Sequence, residues 1–140
     1  MIFTDKTKFA MNLAESWYLG KKDKAGYPYI YHCIAVAEQQ DTEDGTIVAL
    51  LHDTIEDGLC GIFTFYANKY LNGPLVIDAM MAITREKNEK YFDYINRVKQ
   101  NEIARKVKIA DLKNNLKDRG FYSESLHKRY EKALGILENE

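Results

Sequence analysis

The stretch from Thr46 to Asp57 constrains the fold more than any other. Its apolar run, Ile47 to Leu51, is expected to drive a helix into the core. Four ionisable side chains follow directly: His52, Asp53, Glu56 and Asp57. If the helix continues through them, His52 lies above Glu56 and Asp53 above Asp57, because positions four apart share a face. Neighbours are about 100° apart on such a turn, so His52 and Asp53 can lean toward one point. An imidazole and a carboxylate at the end of a buried helix are costly unless paired. A metal ion would remove that cost, which raises the question of where further ligands lie.

The rest of the chain reads as helices separated by short breaks. Phe9, Leu13 and Trp17 recur at helical spacing and predict a helix from Asp5 to Leu19. Gly20 ends it, and Lys21 to Gly26 is a basic loop. Pro28 opens a second helix carrying Ile30, Ile34, Val36 and Ala37, which fades into the polar, turn-like segment Gln39 to Asp44. The opening stretch forms the third helix, ending near Gly58. A fourth runs from Gly61 to Leu71, where Asn72-Gly73-Pro74 makes a break. Leu75 to Thr84, Tyr91 to Gln100 and Glu102 to Asp118 predict three more, with Arg85 to Lys90 as an exposed charged loop. Ser123 is placed to cap a last helix reaching Leu137. No alternating strand pattern occurs, so the expected fold is all-α. At 140 residues it is one domain, residues 1–140, large enough for a real core.

Charge narrows the function. Twenty basic residues against 21 acidic give a net charge of −1, which argues against a nucleic-acid partner but allows a local basic pocket for a phosphorylated small molecule. Cys33 and Cys60 have no CxxC spacing and read as free or buried thiols in a reducing compartment. No apolar run reaches the roughly 18 residues a membrane span needs, so no membrane partner and a cytoplasmic location are expected. The 10 Tyr and 6 Phe residues fit either core packing or the interface of a homodimer.

Three further residues bear on the ligand question. His32 sits at the start of the second helix, and Asp111 and Asn115 lie four apart on the seventh. Asp111 follows Val107, Ile109 and Ala110, so a carboxylate appears where that helix turns its apolar side inward. Singly, each candidate has a plain structural explanation. His32 would be a capping or packing residue, Asp53 solvated, Asp111 paired with Lys108, and Glu56 and Asp57 an exposed acidic turn. Jointly, His32, His52, Asp53 and Asp111 make a two-His, two-Asp set suited to Mn²⁺, Fe²⁺ or Zn²⁺ with positions left for water. His127, beside Lys128 and Arg129, reads as a surface residue.

His32, His52-Asp53 and Asp111 resemble the H…HD…D signature of the HD-domain phosphohydrolases. The finer resemblance is to the alarmone hydrolase branch, comprising RelA/SpoT-type hydrolase domains and small alarmone hydrolases. Gly26-Tyr-Pro-Tyr-Ile-Tyr-His32 is similar to that branch's G-x-P-Y-x-x-H box. Leu50 to Asp57 is similar to its L-L-H-D-x-x-E-D box, and Lys108 to Asn115 to its K-x-A-D-x-x-x-N box. The resemblance implies a compact HD-type bundle of seven or eight helices. It implies hydrolysis of the 3′-pyrophosphate of ppGpp or pppGpp to GDP or GTP plus pyrophosphate. It further implies Mn²⁺ held by His32, His52, Asp53 and Asp111. Glu56 would orient or deprotonate the attacking water, Asp57 would support it, and Asn115 would hydrogen-bond a ribose or phosphate oxygen.

Substrate contacts implied by the same likeness are Lys21, Lys22, Lys24, Tyr29, Lys87, Asp118 and Tyr130. The sequence departs from the branch at Asp23, where RelA/SpoT-type proteins usually place an Arg. It departs also in a shorter stretch between His32 and His52 and in the order of charges from Arg85 to Lys90. The chain ends at Glu140, so no synthetase or regulatory domain is expected and activity would be purely degradative. Alternatives are an HD phosphohydrolase acting on ppApp or the 2′-phosphate of NADPH, an antitoxin to a small alarmone synthetase, and a non-enzymatic nucleotide sensor. The last is disfavoured because the ligand set and the Glu56-Asp57 pair occur together.

Overall fold

The computed structural model describes residues 1–117 and 123–139. Among these it contains eight helices: α1 (Asp5–Trp17), α2 (Ile30–Glu38), α3 (Glu43–Leu51), α4 (Ile62–Ala67), α5 (Pro74–Ile83), α6 (Tyr91–Lys99), α7 (Glu102–Lys117) and α8 (Glu124–Glu138). The described residues form no β-strand, only an isolated antiparallel bridge between Lys22 and Pro28. The all-α expectation therefore holds. No helix among the described residues is long and apolar enough to cross a membrane.

The bundle is arranged around α3. Every residue from Gly45 to Leu51 is buried, as expected of a helix that is apolar on all sides. It packs against α1, α2, α5 and α7. Its start lies inside the polar segment that the pattern reads as a turn. Thr42 caps it by accepting the Gly45 N–H at 2.9 Å, and Glu43 and Asp44 place negative charge in the first turn, where the helix dipole favours it. Gly45 is required by this approach, since a Cβ there would lie 2.8 Å from the Thr42 hydroxyl.

The other end of α3 departs from expectation. The helix stops at Leu51, and His52 to Gly58 form a run of turns. The Thr54 hydroxyl donates to the Leu51 carbonyl at 2.7 Å, a local bond that competes with the helical ladder. Gly58 then adopts φ +74°, the left-handed conformation that ends helical runs. His52 and Asp53 thus do not stack regularly over Glu56 and Asp57, although the Asp57 N–H still bonds the Asp53 carbonyl at 2.9 Å. Two smaller differences are local. Pro28 precedes α2 rather than opening it, and α4 is shorter than its aromatic pattern suggests, being followed by a turn in which Asn68 accepts the Tyr70 N–H at 2.8 Å.

Caps and a polar hub close the remaining ends. Thr4 and Thr7 form a reciprocal capping box on α1, and Ser123 caps α8 by accepting the Leu126 N–H at 3.1 Å. The Arg97 guanidinium donates to the carbonyls of Met81, Ala82 and Thr84 at 2.9–3.1 Å, satisfying the open C-terminal end of α5. It also pairs with Glu89 at 2.9 Å, which pins the Arg85–Lys90 loop beside the centre described next.

Candidate metal centre

Four side chains from three separate parts of the chain meet at the C-terminal end of α3. His32 comes from the first turn of α2, His52 and Asp53 from the turn after α3, and Asp111 from the middle of α7. One ligand atom from each lies within 4.8 Å of all the others. Asp111 Oδ1 is 2.8 Å from His32 Nε2 and 3.3 Å from His52 Nε2, while His52 Nε2 is 3.2 Å from Asp53 Oδ2. α7 delivers Asp111 here because its buried face carries Ala104, Val107, Ala110 and Leu112. The carboxylate arrives with that apolar face.

The opposite ring nitrogens decide what this cluster can bind. His52 Nδ1 lies 2.7 Å from the Ala49 carbonyl and His32 Nδ1 lies 2.7 Å from Asn114 Oδ1. Both partners only accept, so each Nδ1 carries the hydrogen and each Nε2 turns its remaining valence toward Asp111. Imidazoles oriented in this way, joined by two carboxylates, are the donor set a divalent ion takes. The residues present fit such an ion.

Burial and charge set the protonation states. Burial by itself disfavours the charged forms of His52, Asp53, Lys108 and Asp111, but their mutual attraction outweighs it. The His52 imidazole and the Lys108 ammonium are held well above their usual ranges, and the Asp53 and Asp111 carboxyls below theirs. Lys108 bonds the second Asp111 oxygen at 2.7 Å. Asn115 approaches Asp111 Oδ1 at 3.4 Å. The Tyr29 hydroxyl donates to Asp53 Oδ2, and burial, then the Asp53 charge, keeps that phenol protonated.

Glu56 and Asp57 have different surroundings. The Glu56 carboxylate accepts the Arg85 N–H at 2.5 Å. The residue is exposed as a whole, yet packing around its carboxyl lifts the pKa above the ordinary Glu value, against the pull of that hydrogen bond. Asp57 is bonded by Lys21 Nζ at 2.8 Å, and Lys21 in turn sits 4.8 Å from the centre of the Tyr29 ring. Lys21 therefore ties the basic loop to the turn that carries His52.

A cavity of about 370 Å³ opens on the centre. Lys21, Lys22, Asp23, Lys24, Ala25, Tyr29, His32, Asn115, Leu126 and Tyr130 line it. A larger groove of about 570 Å³ between α2 and α7 reaches the centre only through Asn114, so the smaller cavity is the one facing the ligand atoms. Asp23 acts within its own loop, where Oδ1 accepts the N–H groups of Ala25 and Tyr27 at 2.9 Å each. Lys87 is exposed on the loop before α6 and does not line the cavity. Asp118 lies outside the described residues. His127 is partly exposed and pairs with Glu131. Asn114 was not singled out by the sequence pattern, because its role rests on a contact with His32 across the packing of α2 on α7.

Comparison with known proteins bears on the fold. No protein-family model matches the chain. A curated GTP pyrophosphokinase of Streptomyces coelicolor is 42% identical over 57 residues, a match covering 38% of this chain. The chain spans only 7% of that relative's length. A solved structure described as a metazoan ortholog of SpoT that hydrolyses ppGpp and plays a role in starvation responses superposes with a TM-score of 0.76. It is 20% identical, and the likeness covers 98% of this chain and 87% of that one. The chain thus shares, over almost its whole length, the fold of a SpoT ortholog.

Proposed function

We propose that the chain is a divalent-metal-dependent hydrolase that removes the 3′-pyrophosphate of a guanosine alarmone, (p)ppGpp, releasing GDP or GTP and pyrophosphate, with Mn²⁺ as its ion. The observation that carries this reading is the convergence of His32, His52, Asp53 and Asp111 within 4.8 Å, beside a carboxylate of raised pKa and a lysine-rimmed cavity. The whole-length likeness to a structure described as a ppGpp-hydrolysing SpoT ortholog supports it.

Bound by these four residues, a divalent ion lowers the pKa of water and draws charge from a phosphoryl oxygen. The chain's own groups do the rest. His32 and His52 offer Nε2 with Nδ1–H fixed on Asn114 and Ala49. Glu56, steadied by the Arg85 N–H, accepts the proton of the attacking water as its oxygen bonds to phosphorus and the bond to the ribose 3′-oxygen breaks. The cavity holds the nucleoside between Tyr29 and Tyr130, with the Asn115 amide donating to a ribose or phosphate oxygen. Lys22 and Lys24 meet phosphate at the rim, and Lys87 acts on it at longer range.

The test is incubation of purified protein with Mn²⁺ and ppGpp, with products separated by ion exchange. GDP and pyrophosphate are expected, and Glu56→Ala should stop their release while leaving the protein folded. Absence of turnover by folded, metal-loaded protein would overturn the proposal. Release of product from ppApp or NADPH instead would keep the chemistry and change the substrate.

A further inference from the structure

Glu56 connects the metal centre to a second group of cations that the mechanism above leaves unused. Arg85, whose N–H holds the Glu56 carboxylate, carries its guanidinium 5.5 Å from the centre of the Tyr91 ring. The Arg129 guanidinium lies 3.7 Å from the same ring centre. Among the described residues, the Tyr91 hydroxyl and Arg129 Nε are the buried side-chain polar atoms that have no hydrogen-bond partner.

A packing role explains only part of this. The ring face attracts the positive charge of Arg129, but it does not satisfy N–H donors. Unpaired polar groups on two adjoining side chains are rare in folded interiors. Both would be satisfied by an anion with several acceptor oxygens, which suits a guanidinium and a phenol together. The location fits as well. Tyr130, the next residue on α8, lines the nucleotide cavity. The Tyr91 ring centre lies 6.1 Å from that of Tyr94, and Lys108, whose amine bonds Asp111 at 2.7 Å, sits 5.7 Å from the Tyr94 ring centre. Tyr91 is thus separated from the metal centre by Tyr94 and Lys108.

We propose that Tyr91 and Arg129, flanked by Arg85, form the subsite for the outer phosphoryl group of the substrate's pyrophosphate. The naming of that group rests on the alarmone reading. The phosphorus next to the ribose is the one attacked, with water on the side away from the 3′-oxygen. The outer phosphate hangs from an equatorial oxygen of that phosphorus, beside the line from the water to the 3′-oxygen, where the arginines around Tyr91, joined to Glu56 through the Arg85 N–H, can meet it. Recognition there selects a pyrophosphoryl substrate over a monophosphoryl one.

Mn²⁺-loaded protein titrated with inorganic pyrophosphate, and separately with guanosine, tests the assignment. Arg129→Gln should weaken pyrophosphate by about tenfold or more and leave guanosine within about twofold. Tyr91→Phe, which keeps the ring and removes the hydroxyl, should weaken pyrophosphate by about three- to tenfold. Arg129→Lys keeps the charge without the planar fork and should fall between wild type and Arg129→Gln, so it serves if the glutamine variant does not fold. Wild-type pyrophosphate affinity in Arg129→Gln would overturn the subsite. So would affinities within about twofold of wild type in both Arg129→Lys and Tyr91→Phe. Failure of the wild-type protein to hydrolyse ppGpp would count against the alarmone reading alone, because the pyrophosphate titration does not depend on turnover.

Discussion

His32, His52 and Asp111 are 8%, 2% and 3% exposed, whereas Lys21, Lys22, Lys24 and Lys87 all stand in solvent. Each buried member of the centre is held from two sides: His32 by Asn114 and Asp111, His52 by Ala49 and Asp111, and Asp111 by Lys108 and both imidazoles. Most of the rim lacks such support. Lys21, with its bond to Asp57, is the rim residue that shares the centre's construction. The centre's geometry therefore follows from how α2, α3 and α7 pack, while the rim lysines offer only a diffuse positive field. Loss of one central group should be severe, and loss of one rim charge mild.

Asp111→Asn tests the severe side most strongly. It keeps the shape but removes the anion that both imidazoles and Lys108 face. Turnover should fall by about a thousandfold, on the order of 4 kcal/mol of transition-state stabilisation, read as kcat/KM at saturating Mn²⁺. A drop below tenfold would show that Asp111 is not a ligand.

Glu56→Gln should come next, lowering kcat by about 10²- to 10³-fold with metal binding retained. Because the Glu56 pKa is raised, its basic form dominates only above the ordinary glutamate range. The acid limb of the kcat profile should accordingly lie above that range and vanish in the variant. A limb unchanged by the substitution would assign it to another group.

Glu89 separates structural from catalytic charge at the edge of the site. Hydrogen bonds from Arg97 are the main reason that its pKa is depressed to about 2. A depressed carboxyl contributes stability above its unfolded pKa and loses it as pH falls through the folded one. Glu89→Gln should lower stability by on the order of 1 kcal/mol at neutral pH, and the gap should close between about pH 4.5 and 2. Thermal melts of the two proteins across that interval check it, and a gap independent of pH would contradict the pairing.

Lys87→Ala should have the smallest effect. An exposed charge of this kind contributes about 0–1 kcal/mol, so KM should rise by less than about fivefold and the difference should shrink with added salt. A larger, salt-insensitive loss would mean that the Arg85–Lys90 loop folds onto bound substrate.

How much of this was legible in the chain follows the same division. The burial of α3 was readable because Ile47 to Leu51 is apolar at every position. Asp111 stood out as a carboxylate on a face otherwise bearing Val107 and Ala110. The early stop of α3 was hidden, since the bonds that close it, from the Thr54 hydroxyl and N–H to the Leu51 carbonyl, lie inside a segment whose spacing reads as helical. Asn114 was hidden for another reason. Its bond to His32 spans 82 positions and exists only where α2 crosses α7, which no local periodicity encodes. The role of Arg97 has no local signal either, because it exists only where α5 and the Glu89 loop end against its guanidinium.

The most direct test of the whole account is a Mn²⁺ titration of the metal-free protein by calorimetry, run on wild type, His52→Ala and Asp111→Asn. One ion per chain is expected for wild type, with saturable binding lost in both variants while their folds persist. Wild-type protein that binds no ion, or variants that bind it as tightly as wild type, would contradict the claim that these residues form a metal centre.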